Sequence, residues 1–162
     1  MKTLVIYYSL EGNTEHLAQA ISSETNAESL RLHPKKDIGS KGFMRFFWGG
    51  KQVMSKKEPE LEPVEKDLNS YDLIFIGTPV WAWSFTPALR SFFKNYNLQN
   101  KNIALFVSHS GGIGKTFEQM KSHLPGNNFI SEFESLDPLK KDKDGSQVKV
   151  KEWARGILEK LK

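Results

Sequence analysis

The sequence of 162 residues predicts an α/β fold: a doubly wound, five-stranded parallel sheet with helices on both faces. One observation is that short apolar runs alternate with amphipathic stretches along the chain. Another is that the strongest runs are apolar on successive residues, as strands covered on both faces are. Right-handed crossovers then place helices on both faces of the sheet. We expect one domain, residues 1–162, since domains cluster at about 100–200 residues.

Five segments have the composition of strands. They are residues 4–8, 28–32, 73–76, 103–107 and 129–136. The first, third and fourth are apolar throughout, which predicts central strands. The second alternates apolar and polar residues and stops before Pro34. The fifth also alternates, which favours an edge position.

Helices are predicted between and after these strands. They cover residues 14–23, a segment that starts at Thr86-Pro87, residues 114–123, and a C-terminal segment from about residue 146. A threonine followed by proline is typical of a helix start. The C-terminal helix has an apolar stripe at helical spacing, formed by Val150, Trp153, Ala154, Ile157, Leu158 and Leu161. The charged run 140–144 beside Gly145 is expected to be an exposed loop.

Composition excludes several classes of protein. With no cysteine, the chain has no disulfide framework, thiolate zinc site, Cys-ligated iron–sulfur cluster or cysteine nucleophile. The apolar run at residues 4–8 is too short for a signal peptide, and nothing approaches the roughly 20 apolar residues of a membrane helix. The four histidines are scattered, so we expect no catalytic dyad and no metal site. A cytoplasmic protein without stable membrane insertion is the expectation.

Charge is spread unevenly along the chain. The net charge is +4, yet residues 35–57 hold seven basic residues against one acid, and residues 58–72 hold six acids against one lysine. Adjacent patches of opposite sign suggest a surface for steering or partner choice rather than a nucleic-acid groove. Two solvated faces with no such role are the alternative.

The loop after the first strand has the composition of a phosphate cradle. It consists of Ser9, Leu10, Glu11, Gly12, Asn13 and Thr14. Gly12 would let the backbone approach a ligand, hydroxyl groups would donate to it, and the helix N-terminus would supply partial positive charge. A capped helix start with a turn glycine would need the same residues.

Residues 6–9 with Gly12-Asn13-Thr14 resemble the phosphate loop of the flavodoxin family, and the resemblance covers essentially the whole chain. It implies the strand order 2-1-3-4-5 and FMN as cofactor. Commoner members have threonine where this chain has Glu11. Because a carboxylate beside a phosphate is unfavourable, we expect Glu11 to point outward and contribute only its amide.

The loop after the third strand is predicted to contact the flavin. The resemblance implies contacts from Thr78, Pro79, Val80, Trp81 and Ala82. Trp81 and Trp83 are two residues apart, so in an extended loop they would face the same side. A tryptophan here could stack on a planar ligand. Packing of both indoles under the following helix is the alternative.

The loop after the fourth strand is polar and rich in glycine. It contains Ser108, His109, Ser110, Gly111 and Gly112, whose amides would face the pyrimidine edge of the flavin. His109 is its only flat side chain. Either His109 covers the second face of the ring, or Trp48 does so, or the face is open. His109 could equally bond only to backbone.

The insert at residues 37–57 is basic and aromatic, and it is bracketed by glycines. Its possible roles are a lid, a docking surface or an interfacial membrane contact. A packed helix with a solvated basic face is the alternative.

The resemblance implies a one-electron carrier that uses the semiquinone/hydroquinone couple of FMN and exchanges electrons with redox partner proteins. An NAD(P)H-dependent flavin or quinone oxidoreductase uses the same fold, and a non-redox binding module is a third class. Electron-carrier flavodoxins are typically acidic. The positive net charge of this chain therefore favours either a partner with an acidic surface or the function of an NAD(P)H-dependent oxidoreductase.

Overall fold

The structure, a computed structural model, describes the backbone of residues 1–37 and 44–162 and the side chains of residues 1–37 and 48–162. Its strands are β1 (Thr3–Tyr7), β2 (Glu28–Arg31), β3 (Leu73–Pro79), β4 (Asn102–His109) and β5 (Asn128–Leu136). Its helices are α1 (Asn13–Thr25), α2 (Met44–Met54), α3 (Pro87–Asn95), α4 (Thr116–Ser122), α5 (Pro138–Lys141) and α6 (Lys143–Lys160). A 3₁₀ turn spans Leu68–Ser70.

The five strands form one sheet in the order β2-β1-β3-β4-β5, and every neighbouring pair is parallel. This confirms the predicted fold class and strand order. The chain passes from β1 to β2 on one side and later to β3 on the other, so the winding reverses between β1 and β3. In doubly wound sheets ligands bind outside the carboxyl ends of the strands at this point.

Apolar side chains cover both faces of the sheet. Along β3, Leu73 and Phe75 belong to the core under α1 and α6, whereas Ile74 and Ile76 belong to the core under α3 and α4. Successive strand residues point to opposite faces, which is why β3 is apolar at every position. The edge strand β5 alternates in exposure, as expected for a half-covered strand.

Residues 140–144 are exposed, as predicted, but the prediction that they form a loop is wrong. Residues 140 and 141 belong to α5, residues 143 and 144 belong to the first turn of α6, and Asp142 lies between the two helices. The Asp142 carboxylate accepts a hydrogen bond from the Gly145 amide at 3.1 Å, which caps α6 at Lys143, three residues before the predicted start. Within the predicted stripe of α6, Val150, Ala154 and Ile157 are buried.

The insert begins and ends at one place on the domain. The amide of Lys35 donates to the carbonyl of Glu60, and the amide of Glu62 donates to the carbonyl of His33, both at 2.8 Å. These bonds join the two flanks of the insert in an antiparallel pairing. Between the flanks lies α2, and residues 38–43 of the predicted insert lie outside the described residues.

Candidate functional site

A cleft of about 400 Å³ opens at the carboxyl ends of the strands. It is bounded by the loops after β1, β3 and β4, which we call loops one, two and three (residues 8–12, 80–86 and 110–115). The lining residues are Ser9, Leu10, Glu11, Asn13, Thr14, Gly49, Gly50, Pro79, Val80, Trp81, Ala82, Trp83, Ser108, His109, Ser110, Gly111, Gly112 and Asp137. The cleft therefore lies where the winding of the sheet predicts it.

Loop one turns sharply into α1. Gly12 has a φ of 94° and donates its amide to Ser9 Oγ at 3.2 Å. The first intrahelical bond runs from the His16 amide to the Gly12 carbonyl, so the amides of Asn13, Thr14 and Glu15 precede it. Unbonded amides at a helix N-terminus form a site for an anion. Loop one therefore presents hydroxyl and amide donors at one end of the cleft.

The backbone conformation at position 12 accounts for the glycine there. It does not line the cleft, and a Cβ on it would face Leu139 Cδ1 of α5 at 3.4 Å. Glycine is required here because its positive φ is costly for other residues. The positive φ shows that Gly12 shapes the turn, and its role in letting the backbone approach a ligand stays a prediction.

Polar bonds join the start of α1 to neighbouring elements. Thr14 Oγ1 and Ser108 Oγ lie 2.8 Å apart, and both side chains are buried. Asn13 Oδ1 accepts a hydrogen bond from the amide of Leu139 at 3.2 Å. The first turn of α1 is therefore held against β4 and α5, at the end of the cleft where the phosphate cradle is predicted.

Loop two is a tight turn, and the prediction of an extended loop is wrong. Trp81 and Ser84 exchange both backbone hydrogen bonds, at 2.9 and 3.0 Å, and Ala82 and Trp83 between them have φ of 48° and 58°. Positive φ at both central residues is the type I′ arrangement, normally built from Asn and Gly. Trp81 is half-buried, whereas Trp83 is 70% exposed.

Neighbouring elements fix this turn. The Cβ of an alanine at Gly114 would lie 2.7 Å from Trp83 Cβ, so glycine in loop three lets the two loops touch. Thr78 does not line the cleft; its buried hydroxyl accepts a hydrogen bond from the Thr86 amide at 3.2 Å and so closes the base of loop two. The turn therefore stays in place despite its unfavourable φ values.

The side chain of Tyr8 packs against Trp81. Its ring meets the Trp81 indole edge-on at 5.7 Å, and its hydroxyl donates to Asp37 Oδ1 at 2.7 Å. Burial is the main cause that raises the pKa of Tyr8, and the hydrogen bond to Asp37 adds to it. The protonated hydroxyl therefore ties Tyr8 to Asp37 at the start of the insert, while the Tyr8 ring packs against Trp81.

His109 bonds to the backbone of its own loop. Its Nδ1 accepts from the Gly112 amide at 3.0 Å, and its Nε2 lies 3.8 Å from Glu134 Oε2. Ser110 Oγ donates to Asp137 Oδ1 at 2.5 Å. His109 also lines the cleft, so the bond to backbone is present and coverage of the second flavin face by His109 stays a prediction. The Gly112 amide is therefore used within loop three, and the Ser110 bond ties the loop to the residue that follows β5.

Of the predicted site residues, all but Gly12 and Thr78 line the cleft. Trp83 lines it as well, and three further lining residues were not predicted: Gly49 and Gly50 of α2, and Asp137 after β5. Asp137 follows a strand end, which was the signal that could have found it. Of the two candidates for the second ligand face, His109 lines the cleft, whereas from the insert the lining residues are the glycines after Trp48.

The two charged patches partly neutralise each other. Lys35 pairs with Glu60, and Lys94 of α3 pairs with Glu58. Among the described side chains, Lys36, Lys51, Lys56 and Lys57 form no ion pair, and Lys51 lies over the exposed ring of Trp48 at 5.2 Å. Of these four lysines, Lys51 lies on α2, whose Gly49 and Gly50 line the cleft, and Lys56 and Lys57 follow that helix.

This sheet, with its cleft at the reversal of winding, defines a doubly wound α/β protein suited to a planar ligand with an anionic end. A family model described as flavodoxin matches residues 2–154, and the chain belongs to the flavodoxin family. In the described ranges, no helix is both long and apolar enough to cross a membrane.

Three known proteins resemble this chain in sequence or in fold. It is 31% identical over 135 residues to the flavodoxin-like domain-containing protein BilS of Clostridioides difficile, which covers 80% of this chain and 62% of BilS. A flavoprotein from Lactobacillus acidophilus, crystallised in complex with FMN, is 26% identical with a TM-score of 0.72, over 88% of this chain and 97% of that one. A protein from Bacteroides eggerthii shares the fold, with 20% identity and a TM-score of 0.79. The match covers 97% of this chain and 98% of that one.

Proposed function

We propose that this protein binds one FMN non-covalently in the cleft, with the phosphate at loop one and the ring system between loops two and three. The observation that carries it is the donor set at the N-terminus of α1 at one end of the cleft and the half-buried Trp81 beside it. Neutral hydroxyls and amides suit a phosphate dianion, and an indole suits a flat ring. The FMN complex of the Lactobacillus acidophilus flavoprotein supports the same cofactor.

Glu11 is the residue that fits this proposal least well. It lines the cleft and is exposed. Its exposure keeps its charge in water, where it is strongly screened. The phosphate would therefore meet the amides of loop one without a desolvated carboxylate beside it.

Binding is tested by titrating the protein with FMN and riboflavin. We expect one FMN per chain and quenched flavin emission, because an indole in contact quenches flavin by electron transfer. Trp81→Ala should brighten bound FMN and weaken its binding. Trp153→Ala is the matched control, since Trp153 packs on Phe133 and donates to Ser131 Oγ at 2.8 Å on the α6 face. It should lower stability and leave emission unchanged. A protein that stays free of FMN after reconstitution would refute the proposal.

We further propose that the protein is a one-electron carrier that does not itself oxidise NAD(P)H at a useful rate. FMN supplies the redox chemistry when bound, and the protein positions it and excludes water. Loops one, two and three all line one cleft, so each is used for a single ligand. Reduction by NADPH alone within seconds in a stopped-flow experiment would place the protein among reductases. Rapid reduction only with a separate reductase supports the carrier.

The exposed residues beside the cleft favour a partner with an acidic surface. Trp48 and Trp83 are 45% and 70% exposed, and Lys51, Lys56 and Lys57 form no ion pair with described side chains. Charge attraction of this kind weakens as salt rises, since the screening length falls from about 30 Å at 0.01 M to about 10 Å at 0.1 M. Reduction by a partner should slow steeply over this range. A rate that does not depend on salt would contradict the acidic partner.

A further inference from the structure

Arg31, the last residue of β2, links three elements at the start of α1. Its Nη1 donates to both carboxylate oxygens of Glu15, at 2.9 and 3.0 Å. Its Nη2 donates to the backbone carbonyl of Ser9 at 2.8 Å. Ser9 opens loop one, and Glu15 lies in the first turn of α1. One guanidinium therefore fixes loop one relative to both β2 and α1.

The sheet register brings Arg31 to this place. Arg31 pairs with Tyr7 across β1 and β2, so both side chains lie on the face that α1 covers. The Arg31 and Glu15 side chains are 34% and 29% exposed, so the pair is partly withdrawn from water. A planar fork with several donors can bind a carboxylate and a carbonyl at once, which a lysine cannot do with the same geometry.

The negative charge of Glu15 at the start of α1 is compensated by Arg31. A carboxylate in the first helical turn is favourable for the helix itself, because it faces the positive end of the dipole. The same charge is unfavourable for a phosphate bound at that end. Arg31 neutralises the Glu15 charge and also binds the carbonyl of Ser9. The hydroxyl of Ser9 in turn accepts a hydrogen bond from the amide of Gly12, which shapes the turn.

We propose that Arg31 is a positioning residue that sets the affinity for the phosphate end of the cofactor. It does not line the cleft and acts through Ser9 and Glu15. This inference rests on the proposed binding of FMN. Its consequence is specific: loss of Arg31 weakens a ligand with a phosphate and leaves a phosphate-free ligand almost unaffected.

The test measures the dissociation constants of FMN and riboflavin for wild-type protein and Arg31→Met. We expect FMN to bind at least tenfold more weakly to Arg31→Met, and riboflavin to change by less than twofold. Arg155→Met is the matched control, because Arg155 donates to Glu24 at 2.8 Å near the other end of α1. Like Arg31→Met, it removes one positive charge that pairs with a carboxylate of α1, and it should change neither constant.

Two further variants separate charge from geometry. Arg31→Met combined with Glu15→Gln should recover several-fold of the lost FMN affinity, since the uncompensated carboxylate is gone. If Arg31→Met does not fold, Arg31→Lys keeps the charge without the fork and should weaken FMN a few-fold while riboflavin is unchanged. Equal losses for FMN and riboflavin, or no loss for either, would overturn the inference. Wild-type protein that binds neither ligand would instead overturn the proposed function, and this inference with it.

Discussion

Gly77 of β3 lies directly under the ring of Phe106 in the neighbouring strand β4. The two residues are paired in the sheet register, and the Phe106 side chain is fully buried. A Cβ added at Gly77 would lie 2.1 Å from Phe106 Cζ and 2.2 Å from Cε2. Real Cβ atoms do not approach other atoms this closely, so Gly77→Ala must displace the ring or the strand.

We expect Gly77→Ala to lower the free energy of unfolding by about 3 kcal/mol, the upper end of the usual overpacking cost, because a buried ring has no solvent to move into. For a chain of this length that corresponds to a fall in Tm of roughly 6–12 °C. Urea unfolding followed by circular dichroism measures the change. Gly156→Ala is the control: it lies within α6 with nothing within 4 Å of its added Cβ, and should stabilise by about 0.5–1 kcal/mol.

The cause is checked by relieving the contact. Phe106→Leu removes the ring atoms that a new Cβ would meet, at a cost of about 1–2 kcal/mol for the lost packing. In the double variant with Gly77→Ala, the total loss should fall below the sum of the two single losses by at least about 1 kcal/mol. Additive losses, or a Gly77→Ala cost below about 1 kcal/mol, would refute the steric reasoning.

Three further predictions concern the cleft and the acid stability. Ala82→Gly should stabilise by roughly 0.5–1 kcal/mol in urea unfolding, because Ala82 holds a positive φ of 48° that glycine adopts without strain. Gly50→Ala should stabilise the α2 helix yet weaken FMN, because its Cβ would enter open space at the cleft wall; unchanged FMN affinity would contradict this. Hydrogen bonds from Lys66, the largest cause, and from Tyr71 lower the pKa of Glu28 to about 2. Its stabilisation is therefore present above the unfolded pKa near 4.5 and lost as pH falls towards 2, and Glu28→Gln should flatten the stability profile in that window.

Local signals predicted most of the fold because each element is consistent with its neighbours. The strands β1, β3 and β4 are apolar on successive residues, and both of their faces are indeed covered by helices. Thr86-Pro87 marks the start of α3, with Thr86 at the N-cap position. The same signals placed the candidate site, since a parallel sheet brings its strand ends to one edge whatever the side chains are.

Features that depend on tertiary contacts were not predictable. Nothing in the sequence Ala82-Trp83 indicates a type I′ turn, because neither residue favours a positive φ. The turn exists because Trp81 pairs with Ser84 and Gly114 admits the Trp83 backbone from another loop. The role of Arg31 was equally hidden, since it needs the register of β2 on β1 and the first turn of α1 together.

The walls of the cleft differ in how they are held. The start of α1 is bonded to β4 through Thr14 and Ser108, and loops two and three touch at Gly114. The fourth wall is α2, which contains the adjacent glycines Gly49 and Gly50 within a helix, at a cost of roughly 1 kcal/mol each relative to alanine. Packing does not explain Gly50, because a Cβ there would meet nothing within 4 Å. Gly50 therefore lowers the stability of α2 without a packing reason, at a position that lines the cleft, and Gly50→Ala separates helix stability from ligand affinity.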